Sequence, residues 1–205
     1  MSYRSVATRK VSSVDVIENS RLERVMGVGK LLRGLQLRSD LVATGGQLNM
    51  DPQKIDKMQT LDLSGKGIGV QMEKFCTALS TGELSSLTIL DLSDNRIGDE
   101  GMKAFSEALS RGVLASLTVL DLSDNRIGDE GMKAFSTALS SGALGSLVEL
   151  WLHDNKISRD GMSAFAQEIA RGSLASLEDL YIHNNDAASD AVIAAVRNRA
   201  VRNRD

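Results

Sequence analysis

Leu90–Ser106 reads LDLSDNRIGDEGMKAFS, and Leu120–Ser136 repeats it letter for letter. Weaker copies begin at Leu61, Leu150 and Leu180, at steps of 30 residues except for a step of 29 between Leu61 and Leu90. A fixed period of this size predicts a solenoid, in which each unit buries its apolar face only by stacking on its neighbours. The verbatim copy is the mark of a recent tandem duplication or of a built repeat array. Such an architecture supplies an extended surface rather than a ready-made cleft, so the functional question is what that surface binds.

Each unit opens on LxxLxLxxN: Leu87, Leu90, Leu92 and Asn95, then Leu117, Leu120, Leu122 and Asn125. Leu147, Leu150, Leu152 and Asn155 follow, and then Leu177, Leu180, Ile182 and Asn185. Alternation around the central leucines predicts a short strand with one buried face. The asparagine amide is suited to pairing with backbone groups that stacked loops would otherwise orphan. A helix follows. Asp99, Asp129 and Asp160 are placed to cap helix N-termini, Phe75, Phe105, Phe135 and Phe165 recur at a core-facing position beside Met72, Met102, Met132 and Met162, and Gly82, Gly112, Gly142 and Gly172 mark the stops. The predicted class is therefore α/β: a solenoid of about five to six repeats, with a parallel sheet and a helical outer layer.

These units resemble leucine-rich repeats of the ribonuclease-inhibitor subclass over about residues 52–196. The resemblance implies a curved parallel sheet on the concave face, helices on the convex face, and protein recognition as the use of the fold. Family members include inhibitors, innate-immune receptors and GTPase-activating proteins. No shared catalytic residue comes with the fold.

Domain boundaries follow from where the repeat decays. Residues 1–50 read as a basic tail, a capping helix over 13–33 and a degenerate first strand (Leu32, Leu35, Leu37, with Asp40 in the asparagine place). Residues 51–196 are the repeats, the first of which has Lys66 where asparagine is expected, and 197–205 form a basic C-terminal tail. Atypical ends suit a solenoid, whose terminal units must face water. The Ser-rich, basic stretch 1–12 is read as a docking tail, a targeting segment being the other reading.

Charge is unevenly placed: 8 Lys+Arg against 4 Asp+Glu in 1–50, 12 against 20 in 51–185, and 4 against 3 in 186–205. An acidic body argues against nucleic acid as a ligand of the repeats. The single cysteine, Cys76, rules out an intrachain disulfide and favours a reducing, intracellular compartment, the cytoplasm before an organelle interior. No apolar run approaches the roughly 18 residues of a transmembrane span.

Candidate site residues come from the positions that flank the central leucines. The position between the two leucines reads Asp62, Asp91, Asp121, Trp151, Tyr181. Two residues later stand Ser64, Ser93, Ser123, His153, His183, and the position before the central leucine reads Thr60, Ile89, Val119, Glu149, Asp179. Strands about 4.8 Å apart make each series a row of touching neighbours. Two patches are expected. One is an acidic and hydroxyl strip of Asp62, Asp91 and Asp121 with Ser93 and Ser123, either screened by water, salt and nearby Arg96 and Arg126 or held ready for a basic partner segment. The other collects Trp151, Tyr181, His153 and His183, flanked by Glu149 and Asp179; large rings are enriched in interface hot spots.

A closed zinc site needs four ligands, and only Asp154 adds to the two histidines, so no metal or other cofactor is expected. Nucleophile, base and oxyanion donors do not converge, so no enzyme is expected. The function read from the chain is a non-enzymatic protein-interaction module, an accessory or structural subunit of a larger assembly. It binds through the concave face and the basic termini; the rival is a regulator, inhibitor or GTPase activator, of a soluble enzyme.

Overall fold

Five three-residue strands carry the repeat in the computed structural model, which describes residues 59–82 and 84–186 with Val192, Ala194 and the backbone of Arg202–Asn203. They are β1 (Thr60–Asp62), β2 (Ile89–Asp91), β3 (Val119–Asp121), β4 (Glu149–Trp151) and β5 (Asp179–Tyr181). The central leucine of each is buried and its flanks are exposed or half-buried, the period of two that the sequence predicts. All pair in parallel and in chain order, and the backbone of Arg202–Asn203 adds a sixth strand, β6, beside β5. The register aligns Leu61, Leu90, Leu120, Leu150 and Leu180 in one row.

Parallel neighbours require a crossover, and each crossover from β1 to β5 is helical. The helices are α1 (Met72–Leu79), preceded by a 3-10 turn at Ile68–Gln71, α2 (Gly98–Leu109), α3 (Asp129–Ser140) and α4 (Arg159–Arg171). The 3-10 turn falls in the unit that is one residue short, which leaves α1 the shortest of the four. Phe75, Phe105, Phe135 and Phe165 are wholly buried, with Phe135 and Phe165 rings 6.4 Å apart. Val192, in the place of the earlier methionines, is buried as well, so the fifth unit still closes the core. The whole is a leucine-rich-repeat solenoid in form, with the sheet on its concave face.

The asparagine row works as expected. Asn125 Oδ1 accepts from the N–H groups of Asn95 and Ile97, and its Nδ2 donates to the carbonyls of Leu92 and Ser123. Asn95 serves Ile68 and Leu63, Asn155 serves Asn125, Ile127 and Leu122, and Asn185 serves Ile157 and Leu152. Each asparagine therefore satisfies the loop of the unit before it, as buried backbone groups demand.

The aspartates act differently from expectation. They do not cap their own helices. Asp99 Oδ1 accepts from Gly128 N at 2.7 Å and Gly131 N at 2.9 Å, at the start of the next unit's helix. Asp129 in turn accepts from Ser158 N at 2.8 Å, Ser158 Oγ at 2.6 Å and Gly161 N at 3.1 Å. In α4 the capping residue is Ser158, which accepts from Asp160 N. The acidic first turn thus serves its own helix only through the dipole, and caps its neighbour through hydrogen bonds. The arrangement also fixes a glycine: a Cβ on Gly131 would stand 2.8 Å from Asp99 Oδ1 and 3.0 Å from Met102 Cβ.

Burial works against the charged form of Asp129, but the Ser158 and Gly161 donors outweigh it and hold the carboxyl below its usual range. Its stabilisation is present above the unfolded value and is lost as pH falls through the depressed folded value. Asp129→Ala should cost about 1–2 kcal/mol at neutral pH, the value of a helix cap. Urea titrations of both proteins should converge once the pH drops below the folded pKa of Asp129.

The glycine stops hold positive φ, from 77° to 112°, but only Gly172 ends its helix directly; Gly82, Gly112 and Gly142 follow a further short turn. Leu114, Leu144 and Leu174 also sit at positive φ (61°, 58°, 55°), an unfavourable region for leucine that their burial in the core offsets. The expected N-terminal tail, capping helix 13–33 and degenerate first strand lie outside the described residues, as do the side chains of 197–205. No helix among the described residues is long and apolar enough to cross a membrane.

Candidate functional site on the concave face

Parallel register converts the sequence positions into columns. Asp62, Asp91, Asp121, Trp151 and Tyr181 are successive Cα partners, and so are Thr60, Ile89, Val119, Glu149 and Asp179. Seven of the nine residues singled out from the sequence thus lie in these two columns, and His153 and His183 follow two residues after Trp151 and Tyr181, beyond the strand ends.

The acidic column is more ordered than the sequence reading supposes. Asp62, Asp91 and Asp121 each accept from the N–H and the hydroxyl of the serine two residues on (Ser64, Ser93, Ser123), at 2.6–2.9 Å. One oxygen of each carboxylate is thereby fixed. Among the described residues, Arg96 and Arg126 form no ion pair with this column; the serines take the role the sequence reading gave to arginine. At the exposed end of the column the Ser64 hydroxyl and N–H hold Asp62 below the usual carboxylate range. Further in, burial pushes the Asp121 carboxyl up, and the Asp91 charge adds to that against the Ser123 hydrogen bonds. Like charge thus adds to the cost of burial at Asp121, where a partner's cation would relieve it.

Where the column reaches β4, carboxylates give way to rings. Trp151 and Tyr181 lie against each other with centroids 4.4 Å apart and planes tilted by 33°, and Trp151 Nε1 donates to Glu149 Oε1 at 2.7 Å. His153 lies 5.6 Å from the Trp151 ring and stacks on His183 at 4.6 Å with planes 19° apart. All four rings are half-buried, so each keeps a face or edge for a partner. Glu149, read from the sequence as a flanking acid, is also the acceptor that fixes the indole in place.

The sequence reading places Asp154 and Asn184 on this face and weighs Asp154 as a metal ligand, but counts neither among the partner-binding residues. Asn184 Nδ2 donates to Asp154 Oδ1 at 2.9 Å, and Asp154 Oδ2 stands 3.7 Å from His153 Nε2. Their positions follow the histidines directly in the repeat, which was the available signal. On the convex side Cys76 is buried, and burial pushes its thiol up to about 12, so it is not poised as a nucleophile at neutral pH.

A leucine-rich-repeat family model matches residues 83–106 and 113–136, the unit at β2 with α2 and the start of the next with α3. Among solved structures the chain is similar to actin-binding site 2 of leiomodin-1, with a TM-score of 0.59 and 18% identity over 92% of this chain and 88% of that one. A second likeness, to an internalin (inlF) from Listeria monocytogenes, has a TM-score of 0.34 and 16% identity, covers 72% of this chain and 47% of that chain, and carries no weight. A search of curated protein sequences gives no match. The chain has a leucine-rich-repeat fold, and the family model matches two of its units.

Proposed function

We propose that this chain is a non-enzymatic protein-interaction module that docks a basic, ring- or methylene-rich segment of a protein partner along its concave face. The observation that carries this reading is the register: three carboxylates run, strand by strand, into an adjoining tryptophan and tyrosine. Such a surface offers charge to a lysine or arginine and a flat apolar anchor beside it, the composition of an interface hot spot. The likeness to a solved actin-binding site supports the use of this fold for binding protein. The repeats are of the ribonuclease-inhibitor-like kind, and the chain serves inside the cell as an accessory or structural subunit, its basic ends tying it to neighbouring chains.

Replacing Trp151 and Tyr181 together by alanine should weaken partner binding about 100-fold or more, since each ring is placed as a hot spot. The test is quantitative capture of the partner from native extract, with far-UV circular dichroism as the control for folding. Undiminished capture in fixed stoichiometry by a folded double variant would sink the concave-face reading.

A further inference from the structure

We propose that His153, Asp154 and His183 form a binding site for a divalent late transition metal, of which Zn2+ is the simplest occupant. One ligand atom from each of the three side chains falls within a cluster no more than 4.8 Å across. Two donors bound to one tetrahedral zinc lie about 3.3 Å apart, given bonds of about 2.0–2.2 Å. The 3.7 Å between His153 Nε2 and Asp154 Oδ2 is already close to that separation. Small side-chain rotations bring in His183, whose ring lies parallel to its neighbour at 4.6 Å.

Two further observations point the same way. The carboxylate is oriented: Asn184 Nδ2 holds Asp154 Oδ1, which leaves Oδ2 turned to His153, as an outer partner orients a ligand in metal sites. The backbone is pinned too, for Asp154 N donates to the His183 carbonyl at 3.2 Å and Asp154 holds a left-handed φ of 55°. Imidazole with one carboxylate suits zinc, nickel, copper or cobalt, not calcium or magnesium, which prefer oxygen ligands. Three protein ligands leave an open position that water fills, reached directly from the solvent side of the sheet.

The sequence reading stopped at a closed, four-ligand site, and an open site needs only these three. The proposal does not rest on the partner-docking reading, and the two fail separately: the metal titration uses the chain alone, and partner capture is run in chelator. The test is calorimetric titration of Zn2+ into the chelator-stripped full chain. One saturable site tighter than about 100 µM is expected. His153→Ala and His183→Ala should each weaken it by at least about tenfold, and Asn184→Ala, a positioning change, by about tenfold. Asp154→Asn, at an exposed residue, gives the same reading should a histidine variant fail to fold, and Co2+ absorption reports the coordination directly. Absence of saturable binding, or binding unchanged in Asp154→Asn and both histidine variants, overturns the proposal.

Discussion

Phe135→Ala should lower the free energy of unfolding by about 3–5 kcal/mol, the cost of emptying a fully buried ring. The side chain is wholly inaccessible and packs against the Phe165 ring in the next unit. A helix of one unit cannot collapse into the hole without dragging its neighbours, because each unit's core is completed by the units on either side. The cavity therefore persists, which places the cost in the upper part of the range for large-to-small changes. Urea denaturation followed by far-UV circular dichroism measures it. Trp151, the only tryptophan, supplies a second probe in β4, one strand from the C-terminal end of the five-strand array. Coincident transitions mean that the described units unfold together; separated ones mean that the variant has split the solenoid at α3. A loss below about 1 kcal/mol would mean that the phenylalanine register is wrong.

Asn125→Ala should cost about 2–5 kcal/mol, by a different route. Here nothing large is emptied. The N–H groups of Asn95 and Ile97 lose their acceptor in a buried loop, and each unmet donor costs about 1–3 kcal/mol. The carbonyls of Leu92 and Ser123 keep other donors, Asn95 Nδ2 and Asp94 N, and add little. The effect should be vectorial. Amide hydrogen exchange should quicken at Asn95 and Ile97, in the unit before the mutation, while Asn155 keeps its own row intact. Equal loosening on both sides would contradict the assignment of each asparagine to its predecessor.

The ladders of Asn, Met and Phe were legible because one residue type recurs at one position per turn of the solenoid, and stacking turns that recurrence into contact. The strand columns were legible for the same reason, since parallel register preserves repeat position. The aspartate caps were misassigned because the local signal is symmetric. An acid before a helix looks the same whether it caps that helix or reaches the next, and only the rise between units decides. The role of Ser64, Ser93 and Ser123 in holding the acidic column was hidden likewise, for a serine two residues after an aspartate matters only once the strand bends. The metal-binding reading depends on Asn184 turning the Asp154 carboxylate, a contact across a spacing of 30 residues that no motif encodes. The rings proposed for docking, Trp151 and Tyr181, and the two histidines stand where the repeat changes, whereas Asp91 and Asp121 lie within the verbatim copies.

The most direct test of the concave-face account is site-specific photo-cross-linking of the full chain in native extract. A cross-linker would replace Ser93 on the sheet face or Thr137 on the exposed side of α3. The account predicts a discrete protein adduct from position 93, abolished by Trp151→Ala with Tyr181→Ala and competed by the unmodified chain. Adducts from position 137 alone, or a position-93 adduct indifferent to the double substitution, would contradict it.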